Sequence, residues 1–162
     1  MPQVVNFKDG IYLSGSIEKN TKHGVWRQKV YKALHRLYKI IIPDKAECPF
    51  EKTDPEFKEW VYERTVKKDM VDLFTSKYIL VKIDHAVFDG AGTISEITLA
   101  AQFGKEVVYW LDGIDESEIP LWTLGCLAGA HQVEDEDEAI EYFKELAKLK
   151  RKEKQEEQSN GS

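Results

Sequence analysis

The sequence predicts an α/β domain in which a parallel sheet is covered by helices on both faces. Two observations predict it. Apolar runs too short for helices recur along the chain (IYLSG, KIIIP, YILVKI and EVVYWL), several of them rich in β-branched residues. Between them lie longer stretches with apolar residues at helical spacing, so that strand and helix alternate. The runs are apolar nearly throughout, as strands buried on both faces are.

Residues 11–15 read as a first strand ending in a glycine turn. Trp26, Val30, Ala33, Leu34 and Leu37 then follow helical spacing, and residues 39–43 form a second apolar burst. DKAECPFEKTDP is polar, broken by proline, and reads as a loop. Asp54-Pro55 makes a helix start, with a capping side chain followed by proline at the first helical position. Phe57, Trp60, Val61, Met70, Leu73 and Phe74 support one long or kinked helix after it. Residues 78–83 are the third strand, followed by Asp84 and a glycine-bearing loop. A helix over residues 94–103 is stopped by Gly104. Residues 106–111 are the fourth strand, 119–127 a short helix, and 130–133 a short last strand. Residues 135–150 carry Ala139, Ile140, Phe143, Leu146 and Ala147 on one face of a closing helix. Residues 1–150 thus form one domain, and 151–162, without apolar anchors, read as a disordered charged tail.

A length of 162 residues suits one domain with a real core. The net charge of −6 argues against a dedicated nucleic-acid binder, which needs a surplus of cations to neutralise phosphates. Cys48 and Cys126 lie far apart without histidines at metal spacing, which predicts buried thiols in a reducing compartment and neither a disulfide nor a metal site. MPQVVNFKDG lacks a charged-then-apolar leader, and no apolar run approaches about 18 residues. A cytoplasmic, soluble protein without a membrane partner is expected.

In open α/β sheets, ligands bind beyond the carboxyl ends of the strands, near a topological switch point. Residues 12–16 and 84–96 end strands one and three, so both polar, glycine-bearing loops open onto one edge. Glu96 has two readings there. Thr93-Ile94-Ser95-Glu96 fits a capping box, and a helix-start carboxylate kept ionised is also a nucleophile or electrostatic stabiliser. Gly90 and Gly92 let backbone approach a ligand. Asp89, seven positions before Glu96, and Asp69, late in the preceding helix, are candidate companions. Clustered carboxylates push their pKa values apart, so that one ionises while another stays protonated. A nucleophile plus an acid is what cleavage of a glycosidic bond through a covalent intermediate requires. Plainer readings stand beside these: Tyr12 and Trp26 as core aromatics, Asp69 as a solvated helix residue, Asp89 as a turn former. His85, a lone loop histidine beside Asp84, reads as structural. The acidic run over residues 134–138 reads as a solvated helix start.

GIYLSGSIEKN…WRQKV, KKDMVDLFTSKYILVKID and DGAGTISEITLAAQFGKEVVYW, in that order, together resemble the nucleoside 2-deoxyribosyltransferase family. The resemblance covers roughly residues 11–110. It implies a doubly wound, five-stranded parallel sheet of flavodoxin/Rossmann-like type, strand order 2-1-3-4-5. It implies cleavage of the N-glycosidic bond of a 2-deoxynucleoside, with the sugar passing from a glutamate to another base, or to water in the N-glycosidase branch. Carried over by resemblance, Glu96 is the nucleophile and Tyr12 the hydroxyl that holds it. Asp89 and Asp69 are the aspartates near the base, one of which shuttles a proton to the leaving ring nitrogen. Gly15 and Ser16 lie beneath the substrate, and Gly90, Gly92 and Thr93 belong to the substrate-side block that leads to the glutamate. The implied partners are a nucleoside and a free nucleobase, with a second copy of the chain in a homo-oligomer. No metal or organic cofactor is implied. A non-catalytic sensor of a nucleotide-derived ligand is the reading from another class.

Two departures stand out. The Asp89–Glu96 spacing is one residue longer than in the best-known transferases. Branches that cleave 5′-monophosphates carry arginine in the loop GSIR, where this chain reads Gly15-Ser16-Ile17-Glu18. A carboxylate there repels phosphate, so a free nucleoside is expected, with Arg27, Lys19 and Lys22 as the cations able to reverse the preference. Glu18→Arg is therefore expected to raise kcat/KM for a 5′-monophosphate relative to the nucleoside by about tenfold, or ~1.4 kcal/mol. An unchanged ratio in a paired assay removes the charge argument.

Overall fold

Five strands form one all-parallel sheet: β1 (Gly10–Ser14), β2 (Lys39–Ile41), β3 (Tyr78–Ile83), β4 (Glu106–Leu111) and β5 (His131–Gln132), in the order β2-β1-β3-β4-β5. The computed structural model describes residues 8–17, 24–43 and 47–161; Glu18, Lys19 and Lys22 lie outside them. The helices between the strands are α1 (Val25–Leu34), α2 (Glu56–Val61), α3 (Lys67–Thr75), α4 (Gly92–Gln102) and α5 (Leu121–Cys126), and α6 (Glu136–Asn160) follows the last strand.

The parallel sheet is as the sequence predicts, and its strand order is the one the family resemblance implies. Side chains alternate between the faces of a strand, and here each face has its own core. Ile11, Leu13, Tyr78, Leu80, Val108 and Trp110 pack with Trp26, Val30 and Leu34 of α1 and Ala139, Ile140 and Phe143 of α6. Tyr12, Ile79, Val81, Ile83, Val107 and Tyr109 pack with Leu73 of α3 and with Ile97 and Ala100 of α4. Trp26 meets Trp110 edge to face at 5.1 Å and serves the core. The chain leaves β1 outward to β2 and returns past it to β3, so the switch point lies between the carboxyl ends of β1 and β3.

Several local expectations are corrected. Asp54 does not cap α2; its carboxylate accepts from the Glu51 amide at 2.8 Å, and Pro55 occupies the cap. The long helix is α2 and α3 joined by a π-helical turn, Tyr62–Val66, so it is continuous but over-wide in the middle. The loop after β3 holds a 3-10 turn, His85–Asp89, capped by Asp84. Residues 151–160, expected to be disordered, continue α6 as an exposed helix. Lys, Arg, Glu and Gln are good helix formers, and the extension needs no packing partner to propagate from a docked stem. Cys48 and Cys126 are free and half-buried, not fully buried. No helix among the described residues is long and apolar enough to cross a membrane.

Phe143 is fully buried, with the rings of Tyr38, Tyr78 and Tyr142 edge-on around it at 5.4–5.6 Å. Phe143→Ala is expected to destabilise the fold by about 3–5 kcal/mol, the cost of a large core cavity. Urea unfolding would show this as a lowered midpoint with little change in slope.

Candidate active site

Positions 12 and 14 of β1 share a face, because strand side chains repeat every two residues. Both side chains are fully buried, and both carry hydroxyls. The face they share is the one covered by α4, where Thr93, Ile97 and Ala100 form the inward stripe at helical spacing. Glu96 lies three residues from Thr93 on that stripe and meets the two hydroxyls. Tyr12 Oη donates to Glu96 Oε1 at 2.9 Å, and Ser14 Oγ donates to Oε2.

This geometry replaces the capping-box reading. Helix α4 begins at Gly92, two residues earlier than expected, with Ala91 at the cap and no side-chain cap bond. Glu96 is therefore the fifth helical residue, past the orphan amides, and its carboxylate is directed into the sheet. Burial raises its pKa above the ordinary carboxylate value. The Ser14 and Tyr12 donors oppose that rise, as does the charge of Arg27, while Asp69 reinforces it. Tyr12 in turn is pushed far up by burial beside these carboxylates and stays a donor.

Glu96 forms part of the wall of a cavity of about 380 Å³ at the carboxyl edge of β1 and β3. Gly15, Ser16, Asp69, Asp89, Gly90, Gly92 and Thr93 line the same cavity. Tyr12 is fully buried and bonds Glu96 without itself lining the cavity; Glu18 is outside the described residues. Asp69 comes from α3, and its Oδ1 is buried without a hydrogen-bond partner among the described residues. Burial raises the Asp69 pKa, Asp72 adds to the rise, and Lys68 offsets it. Asp89 sits exposed at the end of the 3-10 turn.

Gly15 is closely packed, and a side chain there would make its neighbours give by a few tenths of an ångström. A Cβ there would stand 3.3 Å from the Lys82 carbonyl and 3.4 Å from both Trp26 and the Arg27 guanidinium. At Gly90 and Gly92 an added Cβ meets open space, so neither conformation nor crowding by the protein demands glycine. Arg27, named as a candidate phosphate ligand, is buried and committed elsewhere. Its guanidinium donates to the carbonyls of Leu13, Gly15 and Ser16 at 3.3, 3.0 and 3.4 Å, fixing the turn after β1.

The roles of Ser14, Asp84, Thr65 and Ile17 escaped the sequence reading, whereas His85 reads as structural. Ser14 reads as the polar end of an apolar run, although its parity with Tyr12 places it on the same face. Asp84 joins the two loops, accepting from Ser16 Oγ at 3.3 Å on each oxygen and from the Val87 amide at 3.2 Å. His85 points to Glu118, at 3.9 Å, and no hydrogen bond pairs it with Asp84. Thr65 in the π turn and Ile17 complete the rim. No cluster of metal-binding side chains occurs among the described residues. A part-buried carboxylate held at both oxygens, a second carboxyl group whose pKa burial raises, and space for a small organic molecule together suit nucleophilic substitution with proton transfer to the leaving group.

No protein-family profile matches the sequence, and no curated protein matches it. Among solved structures, a 2-deoxyribosyltransferase from the psychrotolerant bacterium Bacillus psychrosaccharolyticus is similar, with a TM-score of 0.59 and 21% identity. The match covers 81% of this chain and 90% of that one. This chain has the fold of a 2-deoxyribosyltransferase.

Proposed function

We propose that the protein cleaves the N-glycosidic bond of a 2-deoxynucleoside and transfers the deoxyribosyl group to another nucleobase. The observation that carries this reading is the hydroxyl-held Glu96 carboxylate in the wall of a cavity it shares with Asp69 and Asp89. The similarity in fold to a named 2-deoxyribosyltransferase supports it.

In the first half-reaction a lone pair of the Glu96 carboxylate attacks C1′, and the C1′–N bond electrons leave with the base. Asp69 is assigned as the acid that protonates the departing ring nitrogen, because its buried oxygen and raised pKa favour the neutral form. In the second, a ring nitrogen of the incoming base attacks C1′ from the opposite side and returns the electrons to Glu96, and Asp69 recovers its proton from that base. Asp89, Gly90, Gly92 and Thr93 border the sugar and base on one side, and Gly15 and Ser16 on the other. Glu18 and the commitment of Arg27 to backbone carbonyls favour a nucleoside over its 5′-monophosphate.

We also assign the working form as a homo-oligomer. Leu121 and Trp122 are 87% and 70% exposed, and Phe74 and Phe103, in ring contact at 4.3 Å, are exposed as well. All four lie on the helical layer that carries Glu96 and Asp69, and exposed apolar surface of this kind is characteristic of association sites.

Incubation with a 2-fluoro-2-deoxynucleoside is expected to leave a glycosyl adduct on Glu96, read by peptide mass spectrometry. Unlabelled deoxynucleoside plus a second free base is expected to give the exchanged nucleoside, and Glu96→Ala to lower that exchange by roughly a thousandfold or more. Free deoxyribose without exchange would make the protein a hydrolase. No adduct and no product across a panel of bases would leave a binding module.

Sedimentation of the wild type is expected to give a multiple of the monomer mass, and Trp122→Glu with Phe74→Glu to shift it toward the monomer. A monomeric wild type at micromolar concentration overturns the assembly.

A further inference from the structure

We propose that Ser14 is a positioning residue for Glu96, holding the cavity-side oxygen of the carboxylate at rest and stabilising that oxygen when it is expelled from the glycosyl ester. This inference rests on the reading of Glu96 as the nucleophile and assigns the two hydroxyls different tasks. A strand advances about 3.3 Å per residue, so position 14 lies roughly 6.6 Å nearer the carboxyl edge than position 12. The residues that follow it, Gly15 and Ser16, line the cavity. Ser14 is itself fully buried, one residue before the cavity lining begins, so its acceptor Oε2 is assigned to the substrate side and Oε1, bonded to Tyr12, to the deeper position.

Attack through Oε2 makes that atom the ester oxygen, a poor acceptor, and Oε1 the ester carbonyl, which keeps the Tyr12 donor. The Ser14 bond weakens in the first half-reaction. It re-forms in the second, as the C1′–Oε2 electrons return to the carboxylate. Removing it lets the resting carboxylate attack without surrendering a hydrogen bond, while the leaving carboxylate loses a donor in the second step. A charge-assisted bond of this kind also holds the resting carboxylate in its ionised form. The other charged or titratable groups that act on Glu96 or share its cavity are Tyr12 from β1, Asp69 from α3, Arg27 from α1 and Asp89 from the loop after β3, while Asp84 of that loop acts on Arg27. Of these, only Tyr12 hydrogen-bonds the carboxylate among the described residues.

The test compares wild type, Ser14→Ala and Ser14→Cys, a near-isosteric variant whose thiol is a weaker donor, after matched circular dichroism and melting curves. Carbon-13 titration of the Glu96 carboxyl, without substrate, is expected to rise by roughly one pKa unit in Ser14→Ala and by less in Ser14→Cys. The acid limb of kcat/KM is expected to move up with it, because only the ionised carboxylate attacks. Rapid quench is expected to show a longer-lived glycosyl-enzyme in Ser14→Ala, its breakdown slowed about tenfold or more, with its formation slowed less. An unmoved Glu96 titration, or formation and breakdown slowed equally, overturns the proposal. Those outcomes leave base exchange by the wild type intact, whereas a wild type that turns over no nucleoside defeats the functional reading whatever the titration shows. If Ser14→Ala does not fold, Ser14→Cys carries both measurements.

Discussion

A carboxylate taken out of water must be given donors, and the arrangement of the site follows from how this chain supplies them. Strand β1 provides two hydroxyls on one face, one for each oxygen of Glu96, and α4 delivers the glutamate from above. Neither element achieves this alone. The strand must run toward the cavity with positions 12 and 14 on the α4 side, and the helix must begin early enough that Glu96 falls past its first turn. The burial that closes the core on that face also raises the carboxylate's pKa, while the hydroxyls hold the rise in check.

The cation nearest this arrangement is used structurally. Arg27 is sunk between α1 and the turn after β1, where three backbone carbonyls absorb its donors. Its charge still acts on Glu96 through a low-dielectric interior, where electrostatic influence carries farther than in water. One buried guanidinium thus shapes the turn and moderates the carboxylate together. Opposite it, Asp69 is held by α3 at the far wall, with an oxygen that finds no donor among the described residues. Burial raises the pKa of both carboxyl groups in this cavity, and among the described residues only Glu96 has side-chain hydrogen-bond donors that oppose the rise.

The sequence was most legible where burial is two-sided. β3 and β4 begin and end at the expected residues, because an apolar run between polar ends can be little other than a central strand. The edge strands are shorter than expected, three and two residues, since an edge strand pairs on one side only. Helix ends were read less well wherever a side chain had a better partner than the helix. Asp54 turned to the Glu51 amide, and Glu96 to two hydroxyls across the sheet. The π turn carries no residue signature, so Thr65 could not be assigned to the cavity rim. Ser14 was hidden for a different reason. Serine at the end of an apolar strand is unremarked until something is known to lie over that face, after which its parity with Tyr12 makes the contact a necessity.

Gly90 and Gly92 differ from Gly15 in a way that matters for anyone wishing to remodel the molecule. Gly15 is walled in by Trp26, Arg27 and a β3 carbonyl, so the floor of the cavity is inseparable from the scaffold. The other two face empty volume at the mouth. Side chains introduced there would resculpt which molecules enter without touching what keeps the polypeptide folded, giving directed evolution a place to vary selectivity and robustness as independent traits.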